Sequence, residues 1–315
     1  MTKQEARGSQ LQVVTGPLLS HRPPVSIKRT TQPSEGRLPS RRGKLNAYYR
    51  TRLGVLFHGD CLDILPFISD ESVDTVFADP PFNIGKEYGR RVNDRMSDGD
   101  YLKWCGKWMD ECIRILKPGG AFFLYNIPRW NIRLSNVLLD RGLHFRDWIV
   151  VDLKLGLPIA GRLYPSHYSL LYFSKGKPQT FHNIRVPIKK CRHCGRDVKD
   201  YGGHRASLNP RGLNLSDVWT DIPPVRHRRF KSPKRKANAL SSKLLDRIVE
   251  MTTDVHGVVL DPFGGSGTTF AVCEKKKRRW VGIELESADV IVDRLEKKDV
   301  HDYQNEDLMD PPRHS

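Results

Sequence analysis

FADPPFNIG (residues 77–85) runs as the end of an apolar strand and then sets an acid, two prolines and a phenylalanine where the chain must turn. DTVFA (74–78) before it is short and apolar, the pattern of a strand buried on both faces and ending at Asp79. Pro80 and Pro81 fix the backbone and remove two N–H donors, leaving the Asp79 carboxylate and the Pro80 carbonyl as acceptors. Acceptors without donors fit a substrate that supplies two protons from one atom, as the exocyclic amine of a nucleobase does. Holding both protons favours rehybridisation of that nitrogen and directs its lone pair at an electrophile, which is positional and electrostatic catalysis with little need for a strong base. Phe82 then offers an aromatic face to a base swung out of its stack. A plain helix cap at Asp79 would leave the neighbouring residues without a role.

A second turn, DPFGGSGTT (261–269), lies between the short strand GVVLD (257–261) and a helix running through Cys273. Small residues there permit close approach, and amide groups at a helix start can face a ligand. The turn has no GK[ST] ending, so it is not a phosphate-binding Lys loop. RRWVGIE (278–284) ends in Glu284, where nucleotide-binding α/β folds put an acid against ribose hydroxyls. A ribose-containing cofactor without a pyrophosphate follows.

Before and between the two turns, GVLF (54–57), AFFLY (121–125), WIVVDL (148–153) and HYSLLYFSK (167–175) read as strands, and Asp98–Leu116, Trp130–Asp140 and Leu240–Met251 as helices. KPGG (117–120) is expected to stop the first of these helices. A last helix runs to about Lys298. Alternation of strands and helices predicts an α/β domain with a mostly parallel sheet.

The 315 residues carry a net charge of +17, and its distribution matters more than its size. Residues 1–50 hold ten Lys/Arg against two acids and residues 183–236 hold fifteen against four, so the rest of the chain nets −2. Two basic attachments on a near-neutral body point to a polyanionic partner. SHRPPVSIKRTTQPSEGRLPSRRGK (20–44) has the composition of a disordered arm. No run of 18 apolar residues and no secretory signal stands in the sequence, which reads as cytoplasmic, nucleoid-associated and without a membrane partner. Six cysteines at irregular spacing do not suggest a disulfide framework.

Together these residues resemble a known family. FADPPFNIG is similar to the catalytic DPP[YF] motif, and DPFGGSGTT to the FxGxG S-adenosylmethionine motif, of amino-methylating DNA methyltransferases; catalytic motif first is the permuted order of the beta class. The resemblance covers about Asn46 to Lys298. It implies a Rossmann-like S-adenosylmethionine-dependent methyltransferase fold, α/β with a mostly parallel twisted sheet and an inserted target-recognition region. The expected organisation is a basic arm (1–45), a catalytic half (46–182), a target-recognition insertion (183–235), a cofactor-binding half (236–300) and a tail (301–315). Asp79, Pro80, Pro81 and Phe82 would handle the target base. Phe263, Gly264, Gly265, Ser266, Gly267, Thr268 and Thr269 would line the cofactor's methionine end, with Asp261 near its ammonium, Glu284 on its ribose and Asp60, in HGDCLDIL (58–65), near its adenine. Lys236 and Asn238 stand where the family has a further cofactor-side stretch, whose usual HxTxKP-like form is absent here. HYSLLYFSK resembles an HE-type segment with Tyr168 in the acid's place. Asp before the prolines implies adenine N6 ahead of cytosine N4. Double-stranded DNA is the implied partner, with a cognate restriction endonuclease as a further one.

The insertion contains CRHCGRDVKDYGGHR (191–205), whose C-x2-C turn suits a metal such as Zn²⁺ if two further ligands exist. Cys191, Cys194 and His204 are the candidate set, with His182 and His193 as alternatives; a tight turn with unligated thiols is the competing reading. Arg226, Arg228 and Arg229 in RHRRFKSPKRK (226–236) are candidates for phosphates, and Arg192, Arg205 and Arg211 for guanine edges. Arg90 and Arg91, in the polar stretch Lys86–Arg95, are candidate phosphate contacts beside the flipped base.

Overall fold

A computed structural model describes residues 45–86, 94–153, 160–161, 163–188, 190–191, 193–197, 202–203, 209, 211–223, 239–286 and 288–297. In chain order these form β1 (Tyr49–Arg50), β2 (Gly54–His58), α1 (Cys61–Ile64) with a 3-10 turn at Leu65–Phe67, β3 (Val73–Ala78), α2 (Asp98–Ile115), β4 (Leu116–Asn126), α3 (Pro128–Asp140), β5 (His144–Asp152) and β6 (His167–Ser174). There follow β7 (Arg185–Val186), β8 (Leu213–Asn214), β9 (Val218–Trp219), α4 (Ser242–Thr252), β10 (Val258–Asp261), α5 (Thr268–Lys275), β11 (Arg279–Glu284) and α6 (Ala288–Glu296).

One mixed sheet carries the strand order β1-β2-β11-β10-β3-β4-β6-β5-β9, and β7 pairs separately with β8. The five strands from β2 to β4 run parallel, β6 opposes β4, and β5 opposes β6. The chain is thus a mixed α/β fold with a mostly parallel central sheet. Strand side chains alternate between two cores. Val55, Phe57, Val76, Phe122 and Leu124 face a layer with Trp108 and Met109 of α2 and Trp130 and Leu134 of α3. Leu56, Phe77, Phe123 and Val259 face the opposite layer, with Leu245 and Ile248 of α4 and Phe270 of α5.

The helices start and stop for local reasons. Ser97 caps α2 by accepting from Asp100 N, and Asp98 and Asp100 place negative charge at its amino end. Its inward stripe, Tyr101, Cys105, Trp108, Met109, Cys112 and Ile115, is buried throughout. KPGG stops α2 as expected, the helix ending at Ile115, and is itself absorbed into β4, so that strand begins earlier than AFFLY. Pairing with β3 breaks register between Val73 and Thr75, which accommodates the extra residues; Gly119, at φ 76°, lets the strand bulge where a Cβ would come within 2.8 Å of Gln179. Strand β1, an antiparallel pair of residues on the β2 edge, had no signal in the sequence.

Gly282 in β11 lies beneath the Phe270 ring, which is stacked on Trp280 with centroids 4.7 Å apart; a Cβ at position 282 would stand 2.3 Å from that ring. Gly282→Ala is expected to destabilise the fold by about 1–3 kcal/mol through overpacking. Thermal melting of the variant beside the wild type checks this, and an unchanged midpoint would contradict the packing described.

Candidate active site

Asp79 follows β3 directly, and Asp261 ends β10, its parallel neighbour, with Leu260 opposite Val76. The acidic corner and the glycine bend therefore leave the same sheet edge from adjacent strands, which lie about 4.8 Å apart. Asp261 pairs with Gly282, so Glu284 reaches two residues further past that edge from β11. Parallel β4 delivers Tyr125 and Asn126 there, and antiparallel β6 begins there with His167 and Tyr168.

Three rings gather beside the acid. Phe82, 9% exposed, lies 6.3 Å from Tyr125 and 5.7 Å from Tyr168 between ring centroids, and the two tyrosines are 5.1 Å apart. Burial, with the nearby Asp79 charge second, raises the Tyr125 hydroxyl well above its usual range and keeps it a neutral donor. Behind the prolines, the Tyr101 hydroxyl donates to the Pro81 carbonyl at 2.7 Å and accepts from Asn126 Nδ2 at 3.1 Å. Neither Tyr101 nor Tyr125 stands out in the sequence as a site residue, because each fills a core position of its helix or strand. Tyr168 is legible only through the HE-type segment.

On the other side, Asp261 is 2% exposed, accepts from Phe263 N at 2.9 Å and accepts the Thr269 hydroxyl at 2.5 Å. Burial outweighs these bonds and pushes its carboxyl up to about 7, with Glu284 adding to the rise. Glu284 accepts from Gly265 N at 2.7 Å and Glu286 N at 2.9 Å. The bend is held to β11 by Gly264 N donating to the Ile283 carbonyl at 2.8 Å. Gly265 and Gly267 take φ 56° and 77°, and a Cβ at Gly264 would lie 2.9 Å from Phe270, so these glycines serve packing and backbone shape as well as any ligand. Phe263 packs edge-on against Trp108, 5.1 Å between centroids. Ser266 and Thr268 meet Arg294 of α6, whose Nη1 donates to Thr268 Oγ1 at 2.9 Å. Asp60 caps α1, accepting from Leu62 N at 2.9 Å, a local duty sufficient in itself to place an acid there.

The N6/N4 family model described as DNA methylase matches residues 73–291, which span both turns. The chain belongs to this DNA methylase family. It is 57% identical over 257 residues to the type II methyltransferase M.BamHI of Bacillus amyloliquefaciens, a match covering 81% of this chain and 60% of that relative's length. It is 30% identical to the DNA adenine methyltransferase YhdJ of Escherichia coli K12, over 75% of this chain and 81% of YhdJ. Among solved structures, the cytosine-N4-specific PvuII DNA methyltransferase superposes with a TM-score of 0.55 at 21% identity, covering 76% of this chain and 85% of that one. At that identity the likeness speaks for the fold.

The remaining expected site residues are partly placed. Arg211 is exposed, its backbone N–H held by Asn209 Oδ1 at 2.9 Å. Lys236, Asn238, Arg90, Arg91, Arg192, Arg205, Arg226, Arg228, Arg229 and His204 lie outside the described residues. Cys191 and Cys194 share a tight turn in which Gly195 N donates to the Cys191 carbonyl at 2.9 Å, and both thiols are free. Backbone N–H groups of Cys194 and His193 draw the Cys191 thiol below its ordinary range. His182, an alternative ligand, is bonded to Asp254 at 2.7 Å, and no metal-holding cluster of three occurs among the described residues. The expected zinc site therefore gains no third ligand here. No helix among the described residues is long and apolar enough to cross a membrane.

Asp261 also sets a pH dependence. Its folded-state value of about 7 lies above the ordinary 3.8, so the stability it contributes is full below about pH 4 and is lost as pH rises through about 7. Asp261→Asn removes this component. Melting midpoints of the unliganded wild type relative to the variant should fall between pH 5 and 8, and a constant difference would rule out the raised carboxyl.

Proposed function

We propose that the chain transfers a methyl group from S-adenosylmethionine to an exocyclic amino nitrogen of a base turned out of double-stranded DNA at a specific site, with adenine N6 as the acceptor. The observation that carries this reading is the departure of the Asp79 corner and the Gly264–Gly267 bend from adjacent parallel strands at one sheet edge. Bound beside the bend, the cofactor supplies an electrophilic methyl group on a sulfonium. Asp261, once deprotonated, would pair with the ammonium of its methionine end, and Glu284 would accept the ribose hydroxyls. Phe263 and the small residues 264–269 would form the wall, Asp60 would stand near the adenine, and Lys236 and Asn238 would approach from the chain before α4.

Across the gap, Asp79 and the Pro80 carbonyl would accept the two amine protons and hold the nitrogen lone pair toward the methyl group. Pro81 keeps the turn stiff, its own carbonyl committed to Tyr101. Phe82, Tyr125 and Tyr168 would form the aromatic wall against which the base rests. Arg90, Arg91, Arg192, Arg205, Arg211, Arg226, Arg228 and Arg229 are the proposed DNA contacts, positioning through phosphates or reading base edges. M.BamHI carries the type II designation, the ground for counting a cognate endonuclease among the expected partners.

Adenine is supported by Asp79 ahead of the prolines and by the relative YhdJ. Cytosine N4 is the second reading, because the same two acceptors hold either amine and an enzyme specific for it shares the fold. Incubating the chain with unmethylated genomic DNA and methyl-labelled cofactor, then digesting to nucleosides, should yield labelled N6-methyl-2'-deoxyadenosine, and mapping the undigested DNA should place the label within one sequence context. Labelled N4-methyl-2'-deoxycytidine instead would transfer the reading to cytosine; label confined to RNA or protein would end it. Asp79→Ala should keep cofactor and DNA binding while losing roughly 10²-fold or more in turnover. Turnover at the wild-type rate would remove the proposed mechanism.

A further inference from the structure

Directly after Phe82, four consecutive residues turn their backbone N–H groups onto one partner. Asn83 N donates to Asp94 Oδ1 at 2.6 Å, Ile84 N and Lys86 N donate to Oδ2 at 3.1 and 2.7 Å, and Gly85 N donates to the Asp94 backbone carbonyl at 2.8 Å. Asp94 is 4% exposed. Asn83 takes φ 51°, in the left-handed region, and exchanges side-chain bonds with Met96: Nδ2 donates to the Met96 carbonyl at 2.9 Å, and Met96 N donates to Oδ1 at 2.7 Å. The segment forms a concave nest of N–H groups filled by a carboxylate of the same chain.

Main-chain pairing alone closes most loop necks, whereas burying a carboxylate is costly unless its oxygens are satisfied. Here three charge-assisted bonds converge on one carboxylate. The position explains the use of so strong a device. Two prolines stiffen the turn as far as Pro81, but nothing within the motif holds the chain from Phe82 onward. Asp94 fixes that far side, three residues before the cap of α2, and Tyr101 on the first turns of α2 fixes the Pro81 carbonyl. Residues 94–101 thus grip the turn from both ends.

We infer that Asp94 is a positioning residue for methyl transfer. Its carboxylate holds the chain after Phe82, so that Asp79 and the Pro80 carbonyl present their oxygens to the amine and Phe82 keeps its place against Tyr125 and Tyr168. The inference rests on reading the turn as the amine site. Misplacement of a reacting group by about 1 Å can cost roughly 10²-fold in rate.

Single-turnover methylation of duplex DNA by the full chain tests this, together with cofactor affinity and hydrogen exchange at residues 83–86. Asp94→Ala should lose about 10²-fold in rate with cofactor affinity held within about twofold and amide protection lost at Ile84 and Lys86. Asp94→Asn, which keeps an acceptor for Asn83 N, should recover part of the rate. Wild-type rate in Asp94→Ala, a loss accounted for by weaker cofactor binding, or unprotected amides in the wild type would each overturn the inference. Should Asp94→Ala fail to fold, Asp94→Asn carries the decision. It keeps the size of the side chain and removes the charge and one acceptor oxygen, so a slower transfer with reduced amide protection at Ile84 and Lys86 and unchanged cofactor affinity supports the inference, and a wild-type rate overturns it. A wild type that labels no DNA base removes the methylation reading and Asp94's role with it; an active wild type with unaffected variants removes the inference alone.

Discussion

The fold depends on the pairing of β3 with β10 in parallel, although 182 residues separate Val76 from the β10 start at Val258. Parallel neighbours present the same end of each strand to one edge, so the chain's early acidic corner and its late glycine bend become adjacent without any contact between their side chains. An antiparallel pairing would send the two turns to opposite edges. The crevice where strand order departs from chain order is the general ligand position of open α/β sheets. Here β10 and β11 insert between β2 and β3, and the two turns flank the crevice so formed.

The two halves of that crevice solve opposite electrostatic problems. On the glycine side, Asp261 is buried with the half-buried Glu284 near it, and burial pushes the Asp261 carboxyl up to about 7. On the other side, the acid corner is backed by aromatic rings and by a hydroxyl–amide chain in which Asn126 donates to Tyr101 and Tyr101 to the Pro81 carbonyl. Both arrangements place charge where a ligand can use it and satisfy the remaining polar groups from behind. Stiffness comes from different sources: prolines and an occupied nest on the acid side, close-packed glycines under Phe270 and Ile291 on the other.

Much of this was legible in the sequence because its signals are local. A buried strand running into Asp-Pro-Pro, and a strand ending in a glycine-rich turn with an acid about twenty residues on, each state their geometry within a few residues. KPGG marked the end of α2 but hid the start of β4, because a glycine pair marks a bulge as readily as a turn, and only pairing with β3 decides between them. Tyr101, Tyr125 and Asn126 were hidden for another reason: they occupy ordinary core positions, and their role appears only when α2 and β4 are brought beside the turn. Asp94 had no signal at all, since a carboxylate that accepts from N–H groups eight to eleven residues back reads as one more polar residue in a polar stretch.

The edge strand β9 is tied to α4 by a buried cation and its partners. Trp219 in β9 extends the sheet beside β5, and Arg247 of α4 lies over its ring at 5.2 Å. Arg247 is 6% exposed and grips Asp221 through two bonds of 2.9 and 2.6 Å, with Lys243 adding a third contact at 3.0 Å. Burial alone would raise Asp221, yet the hydrogen bonds and charges of Arg247 and Lys243 overcome it and hold the carboxyl down at about 2. A bidentate pair of this kind, with its guanidinium buried, resists shear as well as separation. Residues 218–222 are thereby fastened to α4, and the carbonyl of Leu240, just before the cap of α4, accepts the Thr268 hydroxyl at 3.3 Å at the start of α5. One salt bridge and one helix thus join β9 to the helix that follows the glycine bend.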